Sequence, residues 1–226
     1  MNRDSPKNSQ ENAGHFGESC RPPTTSPPRA IDLPEPKITG GIPLMDALRA
    51  RTSTRSFTSR EVPTQELSNL LWAAFGLNRP CRGTGIEAPG CRTAPTAHNW
   101  REIDVYVATP AALHLFDAES HRLQPVLTTD IRSFTAHSVQ PFVLDAPLIL
   151  IYVADLARMD DASEWDKEVF PWADTSFICE NVYLYCASAG LATVVRALFD
   201  RPALSEAMQL RPGQLVTFSQ PLGYAR

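Results

Sequence analysis

The chain has 226 residues, of which 43% are apolar, enough for one domain with a substantial core. Its formal net charge of -4 argues against a nucleic-acid or anionic-membrane partner, because both recruit a basic face. No apolar run reaches transmembrane length, and the opening MNRDSPKNSQ lacks the apolar centre of a signal peptide, so a cytoplasmic location is the expectation.

Eight of the twenty prolines fall within residues 1–43, mixed with Ser, Thr, Asn and charges. Such a stretch buries too little surface to offset its ordering entropy. Residues 1–30 therefore read as a disordered tail, 31–42 as an extended arm, and 43–226 as the globular domain. PLMDALRA opens that domain as a helix with Leu44, Ala47 and Leu48 on one face. PTQELSNLLWAAFG is the clearest helix. Thr64 is its expected cap, Leu67, Leu70, Leu71, Ala74 and Phe75 its apolar stripe, and Gly76 its stop.

EIDVYVA alternates Ile103, Val105 and Val107 against Asp104 and Tyr106, the pattern of a half-buried strand. LHLFDAESHRLQPV reads as strand, turn and strand, residues 130–139 as a short helix, and LILIYVA as a buried strand. The polar stretch ASEWDKEVFPWAD reads as a loop whose Trp165 and Trp172 are candidate lid residues. Phe177, Asn181, Leu184, Tyr185 and Ser188 then mark a buried helix ended by Gly190, with Trp72, Phe75, Phe177 and Tyr185 counted mostly as helix core. LATVV is a strand, RPALSEAMQL a helix and QLVTFSQPLGY a final strand. Helices and strands interleave without strict βαβ alternation, which favours an α+β fold with a mixed sheet.

The five cysteines are odd in number and show no CxxC pair, which argues against a disulfide framework and against a zinc site. Cys81 and Cys91 flank a glycine-rich loop. RTSTRSF, residues 51–57, sets two arginines four apart with hydroxyls between them. On one face of a turn or helix these groups suit an anion, since guanidiniums fork onto phosphate oxygens and hydroxyls donate to the rest. The same residues also suit an exposed helix C-terminus, where arginines offset the macrodipole.

Taken in order, RTSTRSF, the helix ending in GLNRP, RTAPTAHNWREIDVYV, the helix running into GLATVVRALFD and the closing PLGY resemble the nitroreductase family of flavin enzymes. They look closest to its short, SagB-like dehydrogenase branch, and the resemblance spans residues 40–226. It implies an α+β fold with a central, mostly antiparallel mixed sheet flanked by helices, and a homodimer holding FMN at its interface. Carried over by position, Arg51, Thr52, Ser53 and Arg55 contact the phosphate and ribityl chain. Pro95, Thr96 and Ala97 pass the ring, and Asn99 meets its pyrimidine edge, where an amide both donates and accepts. Val195, Arg196 and Ala197 belong to the segment near flavin N5 and O4. Arg196 is read either as a counter-charge to the reduced ring or as an ordinary surface arginine.

This chain departs from the family in two places. Ala197 and Leu198 stand where many relatives have a glutamate-glycine pair or a glycine. The chain ends at Arg226, so a C-terminal dimer arm is in doubt, Arg226 is a candidate phosphate ligand, and the proline-rich arm is a candidate replacement along a partner's surface. His98, beside Asn99, is read as a loop histidine without a chemical role. The implied reaction is a ping-pong transfer of hydride from NAD(P)H through the flavin to a nitroaromatic, quinone or similar small acceptor, with no protein catalytic group required. The alternatives are a SagB-like oxidation of a peptidic azoline or other small substrate, and an inactive, flavin-free binding module.

Overall fold

The structure, a computed structural model, describes residues 29–80 and 90–226. The expected tail, but for its last two residues, and the glycine-rich loop from Cys81 lie outside them. In chain order the elements are β1 (Ile31–Asp32), α1 (Leu44–Ala50), α2 (Thr64–Phe75), β2 (Leu77–Arg79), β3 (Cys91–Arg92), β4 (Ile103–Ala108), β5 (Leu113–Asp117), β6 (Arg122–Leu127), β7 (Leu148–Asp155), α3 (Glu164–Ala189), β8 (Ala192–Thr193), α4 (Arg201–Ala207) and β9 (Gln214–Gly223). Seven strands form one sheet in the order β1-β6-β5-β4-β7-β9-β8, and each pairing in it is antiparallel. This is an α+β architecture with a central antiparallel sheet, as the motifs led one to expect.

Two layers cover the sheet, and the strand alternation sorts side chains between them. Along β7, Leu148, Leu150, Tyr152 and Ala154 join the core under α2 and α3, while Ile149, Ile151 and Val153 join a second core under α4. The same division corrects the reading of β4 as half-buried. Ile103, Val105 and Val107 face the first core, and Tyr106 and Ala108 are buried in the second. A sheet covered on both faces leaves no solvent side for Tyr106.

Several local expectations change for identifiable reasons. The α2 stripe is buried as expected, but Pro63 occupies the N-cap position and Thr64 is the first helical residue, with no side-chain cap. Gly76 ends the helix by close approach, not by a left-handed turn. Its φ is -73°, and an added Cβ would lie 2.7 Å from the Trp72 carbonyl oxygen. Gly190 does take the left-handed conformation, with φ 69°. Residues 132–135 form only a short 3-10 turn.

The largest correction concerns α3, which starts at Glu164 and runs 26 residues through Pro171. Trp165 and Trp172 are therefore helical. Ser163 and Asp166 form a reciprocal capping box, and Pro171 lies eight positions inside the helix. The Trp172 ring packs edge-on against Phe218 of β9 and under the Arg201 guanidinium, so it is held against the sheet and does not form a loop lid. Phe177, taken as core, is 48% exposed.

The described arm lies on its own chain. β1 pairs with β6, the Lys37 N–H donates to Asn69 Oδ1 (2.8 Å), and the Ile42 N–H donates to Ser188 Oγ (3.0 Å). Cys91 is disulfide-bonded, against the expectation from the odd cysteine count, while Cys179 and Cys186 are free and buried in α3.

Candidate functional site

The chain leaves α1 at Arg51, whose φ/ψ of -55°/124° ends the helix while its N–H still closes on the Ala47 carbonyl at 2.8 Å. Arg51 and Arg55 therefore do not share a helical face. The next residues dock on β8 and the C-terminus: the Thr54 N–H donates to the Thr193 carbonyl (3.0 Å), the Thr58 N–H donates to the Tyr224 carbonyl (2.9 Å), and Phe57, fully buried, bridges to Ala225.

Tyr183 of α3 organises this segment. Its hydroxyl accepts the Val195 N–H at 2.9 Å and lies 3.0 Å from Ser53 Oγ, so its own proton is free for that serine. The Arg51 guanidinium sits over the same ring, 5.5 Å from its centre. One buried tyrosine thus joins residues 51–53 to residue 195. Sequence reading missed it, although a tyrosine on the buried side of an apolar helix always needs a hydroxyl partner.

Some arginines of this chain have carboxylate partners, and others, such as Arg60, Arg196 and Arg201, contact rings, carbonyls or an amide instead. Arg49, Arg122, Arg132, Arg158, Arg211 and Arg226 all pair with aspartates. Arg51 and Arg55 have no carboxylate partner among the described residues, and Arg55 makes only a 3.4 Å contact to the Ser53 carbonyl. Two guanidiniums without counter-ions, with Thr52 and Ser53 between them, suit an anion.

The loop before β4 has a different anchor. His98, Asn99 and Arg101 take positive φ of 48°, 58° and 52°. The Ala97 N–H donates to Asp174 Oδ2 at 2.8 Å, and Trp100 Nε1 donates to Asp161 Oδ1 at 2.6 Å. His98 stacks on Trp100 with ring centres 4.5 Å apart, and Phe170 meets both edge-on. Asn99 is exposed. Its amide oxygen accepts from Arg101 Nε at 3.0 Å, and its NH2 donates to no described residue.

Behind this loop, Glu102 and Asp174 are both buried and their carboxyl groups lie within hydrogen-bonding reach of each other. Burial first, and then the neighbouring Asp174 charge, push the Glu102 carboxyl up to about 7. Burial also raises Asp174, against the N–H bond from Ala97.

Residues 48–224 match the family described as "Nitroreductase family". The chain belongs to the nitroreductase family. Two relatives each carry the name "putative nitroreductase". One, from Ralstonia eutropha JMP134, has a crystal structure 43% identical in sequence, with TM-score 0.81 over 88% of this chain and 90% of that one. The other, from Methanocaldococcus jannaschii, is 27% identical over 168 residues, covering 70% of this chain and 81% of its own. The fold is also that of the NADPH:FMN oxidoreductase of Vibrio harveyi complexed with NAD+, at 16% identity and TM-score 0.58, over 80% of this chain and 67% of that one. Family membership makes the chain an oxidoreductase of a flavin-using kind.

In this nitroreductase-family chain the remaining expected site residues fall into two groups. Val195 is bonded to the Tyr183 hub, while Ala197 is exposed and Leu198 beside it is 43% exposed. Arg196 is buried, unlike an ordinary surface arginine. Its Nε donates to Gln140 Oε1 (2.6 Å), Nη1 to the Thr135 carbonyl (2.6 Å) and Nη2 to the Leu198 carbonyl (2.9 Å). Burial pushes its pKa down to about 10, which leaves it charged at neutral pH. The guanidinium therefore holds its own loop.

Arg226 comes beside residues 51–57 through its N–H to the Ser56 carbonyl (3.4 Å), while its guanidinium faces Asp145 (3.4 Å). A cavity of about 520 Å³, lined by residues including Val62, Leu67, Leu144 and Leu148, contains none of the expected site residues. Pro95 is exposed, and Thr96 Oγ1 accepts the Arg101 N–H at 3.4 Å. Among the described residues no helix is long and apolar enough to cross a membrane.

Proposed function

We propose that this chain is an FMN-dependent oxidoreductase that works as a homodimer and passes hydride from NAD(P)H to a small electrophilic acceptor. One observation carries the reading. Arg51 and Arg55, without carboxylate partners in an acidic chain, stand beside Ser53, and Tyr183 ties Ser53 to residue 195. A terminal phosphate matches that set in charge and in donors, and the free NH2 of Asn99 matches a carbonyl of a flavin's pyrimidine edge.

When bound, FMN supplies the two-electron chemistry. The protein's share is binding and orientation. Arg51, Thr52, Ser53 and Arg55 hold the phosphate and ribityl end, and Tyr183 keeps Ser53 and the Val195 backbone in register. Pro95, Thr96, Ala97 and Asn99 would meet the ring edge, and the Val195–Ala197 backbone would supply the ring's other protein contacts. Arg196 would keep that backbone in place through its bonds to Gln140, Thr135 and Leu198.

The layout of α3 supports the homodimer reading. The anchors Asp174 and Tyr183 are nine residues apart, about 13.5 Å along the helix and half a turn around it. Within one protomer the ring loop and the phosphate segment thus fall on opposite sides of α3. A second copy docked on the exposed α3 face would bring one protomer's loop to the other's phosphate segment. Exposed Val169 and Phe177 on α3 supply apolar surface for that contact.

An absorbance scan of the purified protein tests the reading: a flavin spectrum released as FMN is expected, with bleaching on anaerobic addition of NADH or NADPH. A colourless protein that takes up no added FMN would overturn it. A flavin that nicotinamide does not bleach would redirect the reaction towards substrate oxidation.

A further inference from the structure

The loop from Ala97 to Arg101 has a conformation that its own residues do not favour. Three of its five residues are non-glycine at positive φ, a region most L-residues avoid at a cost of about 1 kcal/mol or more each. Such a loop persists only if its surroundings fix it. The Trp100–Asp161 bond is exposed. Arg101 reaches the Gly90 carbonyl, and Arg158 reaches the Arg101 carbonyl. The buried tie is the Ala97 N–H to Asp174 Oδ2, at 2.8 Å, made to a carboxylate that is only 2% exposed.

Glu102 completes that tie. It follows the strained Arg101 directly, its carbonyl accepts the Asp155 N–H at 2.8 Å, and its side chain is fully buried. Among the described residues neither of its carboxyl oxygens has a well-formed hydrogen bond, and the N–H nearest to them is its own. What faces it is the Asp174 carboxyl from α3. The other charges around it are Asp155 at the end of β7 and Arg158 in the following turn. Asp155 is held by Arg211 at 2.7 Å, and Arg158 by Asp104 at 2.9 Å and by the Arg101 carbonyl. Neither cation is therefore free to neutralise two buried anions. Two adjoining carboxyls in that setting keep one proton between them. With the proton on Glu102, its O–H donates to Asp174, which then accepts from both Glu102 and Ala97.

We propose that Glu102 and Asp174 are a positioning pair that holds the Ala97–Arg101 loop through one shared proton, and that losing the proton releases the loop and weakens flavin binding. This rests on the reading that the loop faces the flavin. The raised Glu102 carboxyl puts the release near neutral pH. Neither residue touches the reacting atoms; both act through the Ala97 backbone and, beyond it, Asn99.

The test uses the full chain as purified, with two readouts across pH 5.5 to 8.5: FMN dissociation constants, and hydrogen-exchange protection of the Ala97 amide corrected for intrinsic rate. In the parent protein both should decline as pH rises through about 7, the affinity by roughly threefold to tenfold, as linkage to a single proton allows. Glu102→Gln keeps a donor to Asp174 with no proton to lose, and should hold both readouts flat at their low-pH values. Asp174→Ala should lose Ala97 protection and bind FMN weakly at every pH. Should Glu102→Gln fold poorly, Asp174→Asn serves instead. Its amide still accepts from Ala97 and donates to an ionised Glu102, so it too should remove the pH dependence.

A pH slope that survives in Glu102→Gln or Asp174→Asn would overturn the pair, as would full Ala97 protection in Asp174→Ala. If amide protection follows pH and variants as stated while FMN affinity ignores both, the pair holds the loop but the loop does not face the flavin. That outcome refutes the ring placement and leaves the clamp standing.

Discussion

Removing one oxygen, by Tyr183→Phe, should uncouple the two halves of the phosphate side of the site. The Tyr183 hydroxyl is the acceptor for the Val195 N–H at 2.9 Å and the partner of Ser53 Oγ at 3.0 Å, in a side chain that is 7% exposed. Phenylalanine fills the same space and keeps a ring under Arg51, so packing and the cation contact change little. The loss is one partly buried N–H without an acceptor and one serine hydroxyl without its partner. Such groups cost about 1 to 3 kcal/mol. For a chain of this size each kcal/mol lowers Tm by about 2 to 4 °C, so a fall of roughly 3 to 10 °C is expected in a thermal melt. FMN affinity should drop about five- to tenfold, because Ser53 is no longer held towards the phosphate. Ser53→Ala is the control: it leaves the Tyr183–Val195 bond intact, so it should cost similar affinity but little Tm. A Tyr183→Phe protein melting within 1 °C of the parent, with unaltered affinity, would show that water replaces the hydroxyl. The hub would then have no energetic meaning.

Arg55→Ala, at an exposed side chain with one weak protein contact, should reduce FMN affinity ten- to a hundredfold, about 1.5 to 3 kcal/mol, and riboflavin affinity hardly at all; equal losses for both ligands would refute phosphate binding. Arg196→Met strands the Thr135 and Leu198 carbonyls and Gln140, so calorimetry should show a loss of about 3 kcal/mol or more, and FMN affinity should fall as well because the 195–198 backbone loses its anchor. Stability itself should depend on pH through Glu102. Its folded pKa lies above its ordinary value, so the native chain keeps a proton that the unfolded chain gives up. That stabilisation is complete below about pH 4.5 and is lost as pH rises through 7, by up to about 3 kcal/mol. Urea titrations of Glu102→Gln should lack this segment of the curve.

What the sequence disclosed was whatever local periodicity controls. The α2 stripe, the apolar run of β7 and the β5–β6 hairpin were legible because side-chain spacing alone decides which face is buried. The start of α3 was not, because Pro171 within a polar stretch reads as a breaker, while the compensating cap lies eight residues upstream at Ser163. Arg196 was read as a ligand or a surface residue because its partners, Gln140 and Thr135, are 56 and 61 residues away in sequence. The same applies to the site anchors: Ser53 and Tyr183 are 130 positions apart, and Ala97 and Asp174 are 77 apart.

The polar residues buried in α3 nonetheless form a pattern. Asp174, Thr175 and Tyr183 interrupt an otherwise apolar buried arc. Thr175 bonds back to Pro171 and across to Thr217, a closed arrangement inside the core. The other two reach out of the helix to segments with no regular structure of their own, Asp174 to the loop before β4 and Tyr183 to the chain after α1. A helix core gains nothing from a carboxylate or a phenol unless something must be held there. In a flavin-enzyme fold the segments needing such support are those that touch the cofactor. They must approach it closely, and so cannot be buried within the sheet or its two covering layers. On the proposed reading, the buried acid of α3, which no arginine or lysine pairs among the described residues, supports the ring loop, and the tyrosine one half-turn round the helix supports the phosphate segment. Mutating the two anchors separately should therefore disturb opposite ends of the same ligand.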